Sequence, residues 1–261
     1  MQFKKYIPVL LAVIFCFSSA GIFAQYASFL NQGNITYEKK VNVLALLQER
    51  WGNDNDGWTQ QIIDAYKKGG NQFKTYQYNL AFRDNKTLYT PIVSDAPAGG
   101  FGDFTSVAND NTVYTDLDNE QSVAQKSIYG DKFLISDSAR KIHWKITDEL
   151  RDIAGFQCRR ANAVIMDSVY VVAYYSNQIP VSGGPESFTG LPGMILLLAL
   201  PHEHTVWTAT KVAAIPPVIA GTVVPPAKGK PMNNKAFYNN LQSSLKSWGK
   251  SGAIIMQNAM L

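Results

Sequence analysis

Cysteine, histidine and clustered charge are all scarce in this sequence, and each scarcity removes a class of explanation. The two cysteines are Cys16 and Cys158. Cys16 falls in an N-terminal stretch expected to be cleaved away, so one thiol remains and no internal disulfide can brace the fold. Stability then rests on an apolar core, which 46% hydrophobic and 12% aromatic residues can supply. Three histidines are a thin supply for a metal centre. The formal net charge is only +4 and no basic run occurs, so nucleic-acid binding has no electrostatic footprint despite a pI near 8.9. Past the N-terminus, the apolar run Met194–Leu200 is far short of the ~20 residues that span a bilayer. Gly-rich phosphate loops, a Ser-centred nucleophile elbow and a His-Glu-x-x-His helix are absent as well.

What is present begins with an export signal. Lys4 and Lys5 form a positive n-region, Tyr6 to Phe17 are apolar apart from Pro8, and Ser18 to Gly21 bring small residues. That order is the secretory pattern, with cleavage expected between Ala24 and Gln25. Lipidation at Cys16 is rejected because bulky Phe15 precedes it. Residues 1–24 are therefore expected to be a signal peptide and 25–261 a single β-rich domain, with no transmembrane segment after cleavage.

Side-chain alternation dominates the remainder. Ile35, Tyr37, Val41 and Val43 share one face of a strand, with Thr36, Glu38, Lys40 and Asn42 on the other. Trp58, Ile62, Ala65 and Tyr66 then recur at helical spacing after Asp54-Asn55-Asp56-Gly57, predicting one or two short helices between Leu44 and Lys68. Tyr76, Tyr78, Leu80 and Phe82 restart the period of two. Short strands are expected near 87–93, 112–116, 122–129 and 133–136, and Pro97 to Gly102 reads as a loop. Lys141 to Thr147 alternates sharply, and further strands cover 156–165, 168–176, 194–200 and 205–213. The proline-rich stretch 215–232 should run extended, since proline lacks the donor a central strand needs. A helix over 233–249 follows, with Phe237, Leu241, Leu245 and Trp248 on one face. The expected fold class is mainly β: an antiparallel curved sheet or half-barrel with one or two packed helices.

Ordered motifs occupy the stretch from Ile142 to Leu196. They are Ile142-His143-Trp144-Lys145-Ile146, Ile153-Ala154-Gly155-Phe156-Gln157-Cys158-Arg159-Arg160-Ala161, and Ala173-Tyr174-Tyr175-Ser176. Ile179-Pro180-Val181-Ser182-Gly183-Gly184-Pro185 and Phe188-Thr189-Gly190-Leu191-Pro192-Gly193-Met194-Ile195-Leu196 complete them. In these the chain resembles the Gly-Leu-Pro-Gly-Leu-Ile (GLPGLI) family, a Porphyromonas-type family of exported proteins found mainly in Bacteroidetes. Met194 stands where the family usually has Leu, and Phe156 where it usually has Tyr; both changes keep size and apolarity. The resemblance implies a periplasmic or outer-envelope location and carries over no catalytic residue.

The motif loop is the main candidate site: Ile179, Pro180, Gly184, Pro185, Gly190, Leu191, Pro192 and Gly193. Glycine permits positive φ and proline fixes φ near −65°, so these residues carry geometry and no reactive group. The loop is either a rigid corner that sets the register of the next strand, or a lip over a cavity or docking surface. His202 and His204 form a candidate metal pair, with Cys158 or His143 as further ligands; a solvated hairpin tip is the plainer account. Cys158 with His143 is the one nucleophile–base pair the sequence offers.

The leading expectation is a non-enzymatic binding or scaffold module without cofactor. It would hold a hydrophobic ligand or an envelope partner, using aromatics such as Tyr76, Tyr78, Phe82, Trp144 and Tyr174. A metal-handling module built on His202 and His204 is the alternative.

Overall fold

A computed structural model describes residues 29–52, 57–69, 72–92, 109–213 and 223–261. The expected signal peptide, the loop Pro97 to Gly102, most of the capping run before Gly57 and part of the proline-rich stretch lie outside the described residues. The chain begins with β1 (Gly33–Asn42), whose buried positions alternate as Ile35, Tyr37, Lys39 and Val41. The Asn42 side chain accepts from the Ala45 N–H at 3.0 Å and caps α1 (Val43–Trp51), so Val43 starts a helix and does not end the strand. After α2 (Gly57–Gly69) come β2 (Phe73–Arg83), β3 (Lys86–Pro91), β4 (Thr112–Asp116), β5 (Gln121–Ile128) and β6 (Asp131–Ser138). Then follow β7 (Lys145–Ile153), β8 (Phe156–Ile165), β9 (Val169–Ser176), β10 (Met194–Leu200) and β11 (Thr205–Ala213). β12 (Lys230–Met232), α3 (Asn234–Leu245) and α4 (Gly249–Met260) complete the order.

The strands form one 12-stranded sheet in the order β12-β6-β5-β4-β3-β2-β1-β11-β10-β9-β8-β7. Every pairing is antiparallel except β12 with β6, which is parallel. Pro231 therefore sits on an edge strand, the one place in a sheet where its missing donor costs little.

The connectivity forces curvature. β6 and β7 are consecutive in sequence yet lie near opposite ends of the sheet. Flat, they would be about 48 Å apart at ~4.8 Å per strand. The short connector between Ser138 and Lys145 reaches about 25 Å at most. The sheet must curl until its ends approach, and β7 indeed comes within 8 Å (Cα–Cα) of β11 although three strands separate them. With unpaired ends at β12 and β7, it remains an open half-barrel.

The inner face of this curve holds one large core: Ile35, Tyr37, Tyr78, Leu80, Phe82 and Tyr89 from the middle strands, with Cys158, Ala161, Val171, Ala173 and Leu198 from the far half. α3 closes it with Phe237, Leu241 and Leu245, after Asn233 caps the helix by accepting from Ala236 N–H at 2.8 Å. A satellite cluster of Val41, Val43, Leu46, Leu47, Trp51 and Ile63 seats α1 and α2.

Three elements differ from the sequence expectation. Lys141 to Trp144 alternates but is connector, not strand; Trp144 donates its indole N–H to the Thr189 carbonyl at 2.9 Å and pins that connector to the motif loop. β7 starts later and is exposed on almost every residue, so it shows no alternation. α4 lies beyond the helix expected to close the chain, and Trp248 leaves the buried stripe to lean on Tyr129 at 5.3 Å.

Candidate functional site

The motif loop joins β9 to β10 and runs inside the molecule. Ile179, Val181, Gly183, Gly184, Pro185, Glu186, Phe188, Thr189, Leu191 and Gly193 are buried, while Pro180, Gly190 and Pro192 stay exposed. The loop is zipped to its own outgoing strand: Met194 N–H donates to the Ile179 carbonyl and Ile195 N–H to the Gly183 carbonyl, both at 2.9 Å. Gly190 N–H donates to the Ser182 carbonyl at 3.2 Å across the turn.

The glycines permit close backbone approach. A Cβ on Gly193 would lie 2.2 Å from the Ser176 carbonyl oxygen, and one on Gly184 2.8 Å from that of Phe188. Gly190 has a φ of 95°, which only glycine adopts without strain. The corner that these residues form is folded against the core.

At the loop's centre sits a residue the sequence reading passed over. Glu186 is buried, in a left-handed backbone conformation with φ of 53°. Asn111 donates to its carboxylate at 3.1 Å, and the other Asn111 amide atom, Oδ1, has no partner. Three cations share this interior. Lys39 of β1 donates to Asn109 Oδ1 at 2.9 Å and lies 5.0 Å from the Trp207 ring; Lys126 of β5 donates to the Ala259 carbonyl at 2.7 Å. Arg140 of the connector donates to the Met260 and Leu261 carbonyls.

Burial raises the Glu186 carboxyl above its ordinary value, against the pull of Lys39, Lys126 and Arg140. Burial likewise lowers Lys39, and pushes Lys126 down to about 8, with Glu186 opposing and Arg140 and Lys39 assisting. Tyr78 donates to the Asn109 carbonyl at 2.9 Å, and Trp207 to the Tyr89 hydroxyl at 3.0 Å, completing a polar layer inside an apolar core.

Where the loop reaches the rim, it floors a groove of about 450 Å³. Pro180, Ser182, Thr189 and Gly190 contribute from the loop, and Arg140, Lys141 and Ile142 from the connector. The opposite wall is Asn85, Leu117, Asp118 and Glu120 from the β2–β3 and β4–β5 turns. Lys141 pairs with Glu120 at 2.9 Å and Asn85 donates to Asp118 at 2.9 Å, so the wall is polar and balanced in charge. The groove exists because the curled sheet brings these turns opposite the connector.

The remaining sequence candidates are placed apart. Cys158 is fully buried in β8, its thiol donates to the Phe156 carbonyl at 3.4 Å, and burial, aided by Asp152, pushes it up to about 12. His143 is exposed on the connector. A thiol so buried and so weakly acidic is a core residue in this fold. His202 and His204 flank Glu203 in the β10–β11 turn, and Glu203 is the inward member. It pairs with Arg50 of α1 and accepts from Gln257 of α4 at 2.7 Å, tying the turn to two helices. His204 lies 2.5 Å from Glu49. Among the described residues no group of three or more His, Cys, Asp or Glu side chains is placed to share a metal ion.

Comparison with known proteins finds one partial family-model match and one likeness of fold. A family model described as a protein of unknown function (Porph_ging) matches residues 163–197, from late β8 through the motif loop into β10. Among solved structures the chain is similar to PNGF-II in its C2 crystal form, with a TM-score of 0.50 at 14% identity. That match covers 84% of this chain and 33% of that one. The P21 form gives 0.48 at 16%, covering 84% and 34%. The chain thus spans about a third of the PNGF-II length, and the likeness concerns the fold alone. No curated protein matches the sequence.

Proposed function

We propose that this chain is an exported cell-envelope binding module, without catalysis of its own, that engages an envelope partner through the groove floored by the motif loop. The observation that carries this reading is the 450 Å³ groove itself, a volume within the range of specific ligand and side-chain sites. Its walls are polar and its floor is fixed by a loop hydrogen-bonded to β10, so the surface is preorganised. The inner face, where a hydrophobic ligand would sit in an empty half-barrel, is filled by side chains of the motif loop, α3 and α4. That favours a polar partner over a hydrophobic cargo. The Lys4 to Ala24 pattern and the GLPGLI-like motifs support export.

The test is site-specific photo-crosslinking in the native host, with the reactive side chain at Ser182 or Leu117 and a control at exposed Val164 of β8. The expected result is a discrete adduct from both groove positions, none from Val164, and a mature N-terminus at Gln25 by mass spectrometry. Identical adducts from all three positions, or none, would contradict the groove. An uncleaved chain would contradict export.

A further inference from the structure

The interior of the sheet brings a primary amine and a carboxamide into contact. Lys39 Nζ donates to Asn109 Oδ1 at 2.9 Å, and both residues are buried. They stand 70 positions apart, one in β1 and the other just ahead of β4. The carboxamide carbon of Asn109 lies one C=O bond, about 1.2 Å, from that oxygen, so Nζ is within about 4 Å of it. Reacting atoms couple at roughly 3–3.5 Å, so a small rotation of the lysine end turns the hydrogen bond into an attack. Both partners are held in place. Tyr78 donates its hydroxyl to the Asn109 backbone carbonyl at 2.9 Å, and the Trp207 ring lies 5.0 Å from the amine.

A lysine is a nucleophile only without its extra proton, and an amide nitrogen departs only with one added. Burial lowers Lys39 and raises Glu186, which pushes each toward its uncharged form. Glu186 lines the same cavity of about 50 Å³ as Lys39 and Asn111, held there by the Asn111 amide at 3.1 Å. Asn111 Oδ1 is buried beside it without a partner, an acceptor that ammonia can use on its way out. Tyr78 and Tyr89, stacked at 4.7 Å, and Trp207 wall the amine off from water, which would compete for the carboxamide.

We propose that Lys39 and Asn109 join in an intramolecular amide (isopeptide) bond, with Glu186 as the proton carrier. The Lys39 lone pair forms a bond to Asn109 Cγ while the C=O electron pair moves onto Oδ1. Glu186 gives its proton to the departing amide nitrogen and recovers one from the attacking nitrogen. The carbonyl re-forms, the Cγ–Nδ2 bond breaks and ammonia leaves; nothing is oxidised or reduced. The product ties β1 covalently to the entrance of β4 and closes a loop containing α1, α2, β2 and β3. Such a link constrains the unfolded chain as a disulfide does, in a sequence with too little cysteine for one. The reaction needs no ligand and shares no residue with the rim groove.

Tryptic digestion of the denatured full chain, read by mass spectrometry, tests the proposal. The expected product is the peptide ending at Lys40, uncut after Lys39, joined to the peptide of residues 87–126 and lighter than their sum by one ammonia. Asn109→Asp should yield the same joined peptide with water lost in place of ammonia. Lys39→Arg, which keeps the charge, and Asn109→Ala should yield none. Glu186→Gln should cut the joined fraction about tenfold or more, since general acid–base assistance is worth at least that. An undiminished fraction in Glu186→Gln overturns the proton-carrying role. Recovery of the two peptides unjoined from the folded parent overturns the whole proposal, even where ammonia has been lost by cyclisation within one of them.

Discussion

Gly193→Ala is expected to destabilise the protein by about 3 kcal/mol or more, lowering Tm by roughly 10 °C. The added methyl would sit 2.2 Å from the Ser176 oxygen and 2.7 Å from its carbonyl carbon. Both obstacles are backbone at the end of β9, so no side-chain rotation relieves them. β10 must move away from β9 or the corner must unzip, and either breaks the Met194 to Ile179 hydrogen bond. Gly69→Ala provides the contrast, because nothing lies within 4 Å of its new Cβ. That change should stay within about 0.5 kcal/mol, as surface substitutions generally do. Urea or thermal unfolding of the two variants beside the parent separates a structural glycine from a merely frequent one.

Lys126→Met is expected to act in the opposite direction, stabilising the protein at pH 7 by about 1–3 kcal/mol. The folded chain holds this ammonium fully buried, and its pKa falls from 10.5 to about 8. Below pH 8 the lysine is protonated in both states, and the folded state carries the full cost of the buried charge. Between pH 8 and 10.5 the unfolded chain binds more protons, so stability rises with pH; above 10.5 the cost is gone. Tyr37 and Tyr78, raised by burial, bring an opposing loss of stability once pH exceeds their ordinary value of 10.0. The difference between parent and variant isolates the lysine: it should be constant below pH 8 and shrink toward pH 10.5. Glu186→Gln should move the start of that window below pH 8, because the carboxylate is what raises Lys126.

The sheet was legible in the sequence because most strands have one wet face and one dry face, as in β1, β2 and β8. Where that asymmetry fails, the reading fails with it. β7 is an edge strand exposed on both sides, so nothing alternates, while the connector before it alternates for another reason: Trp144 and Ile142 turn toward the motif loop and core. α4 carries its buried face on Gly252, Ile255 and Ala259, of which only Ile255 is large and apolar, so no apolar stripe announces it.

The polar interior is subtler. Lys39 stands between Tyr37 and Val41 on the dry face of β1, and Lys126 between Ala124 and Ile128 in β5. A lysine in register with buried neighbours was the available signal, and grouping only the apolar residues of that face conceals it. Glu186 gave less warning, since an acid in a Gly/Pro-rich loop ordinarily faces water. Only the curl of the sheet, which encloses the loop, makes it interior.

Amide hydrogen exchange across residues 179–195 tests this enclosure most directly. If the motif loop is an internal brace, the N–H groups of Gly183, Met194 and Ile195 should exchange only with global unfolding, at the rate of the β10 core. Exchange at these amides as fast as in the exposed turn at Asp84 and Asn85, with β10 still protected, would show a surface loop and contradict the account.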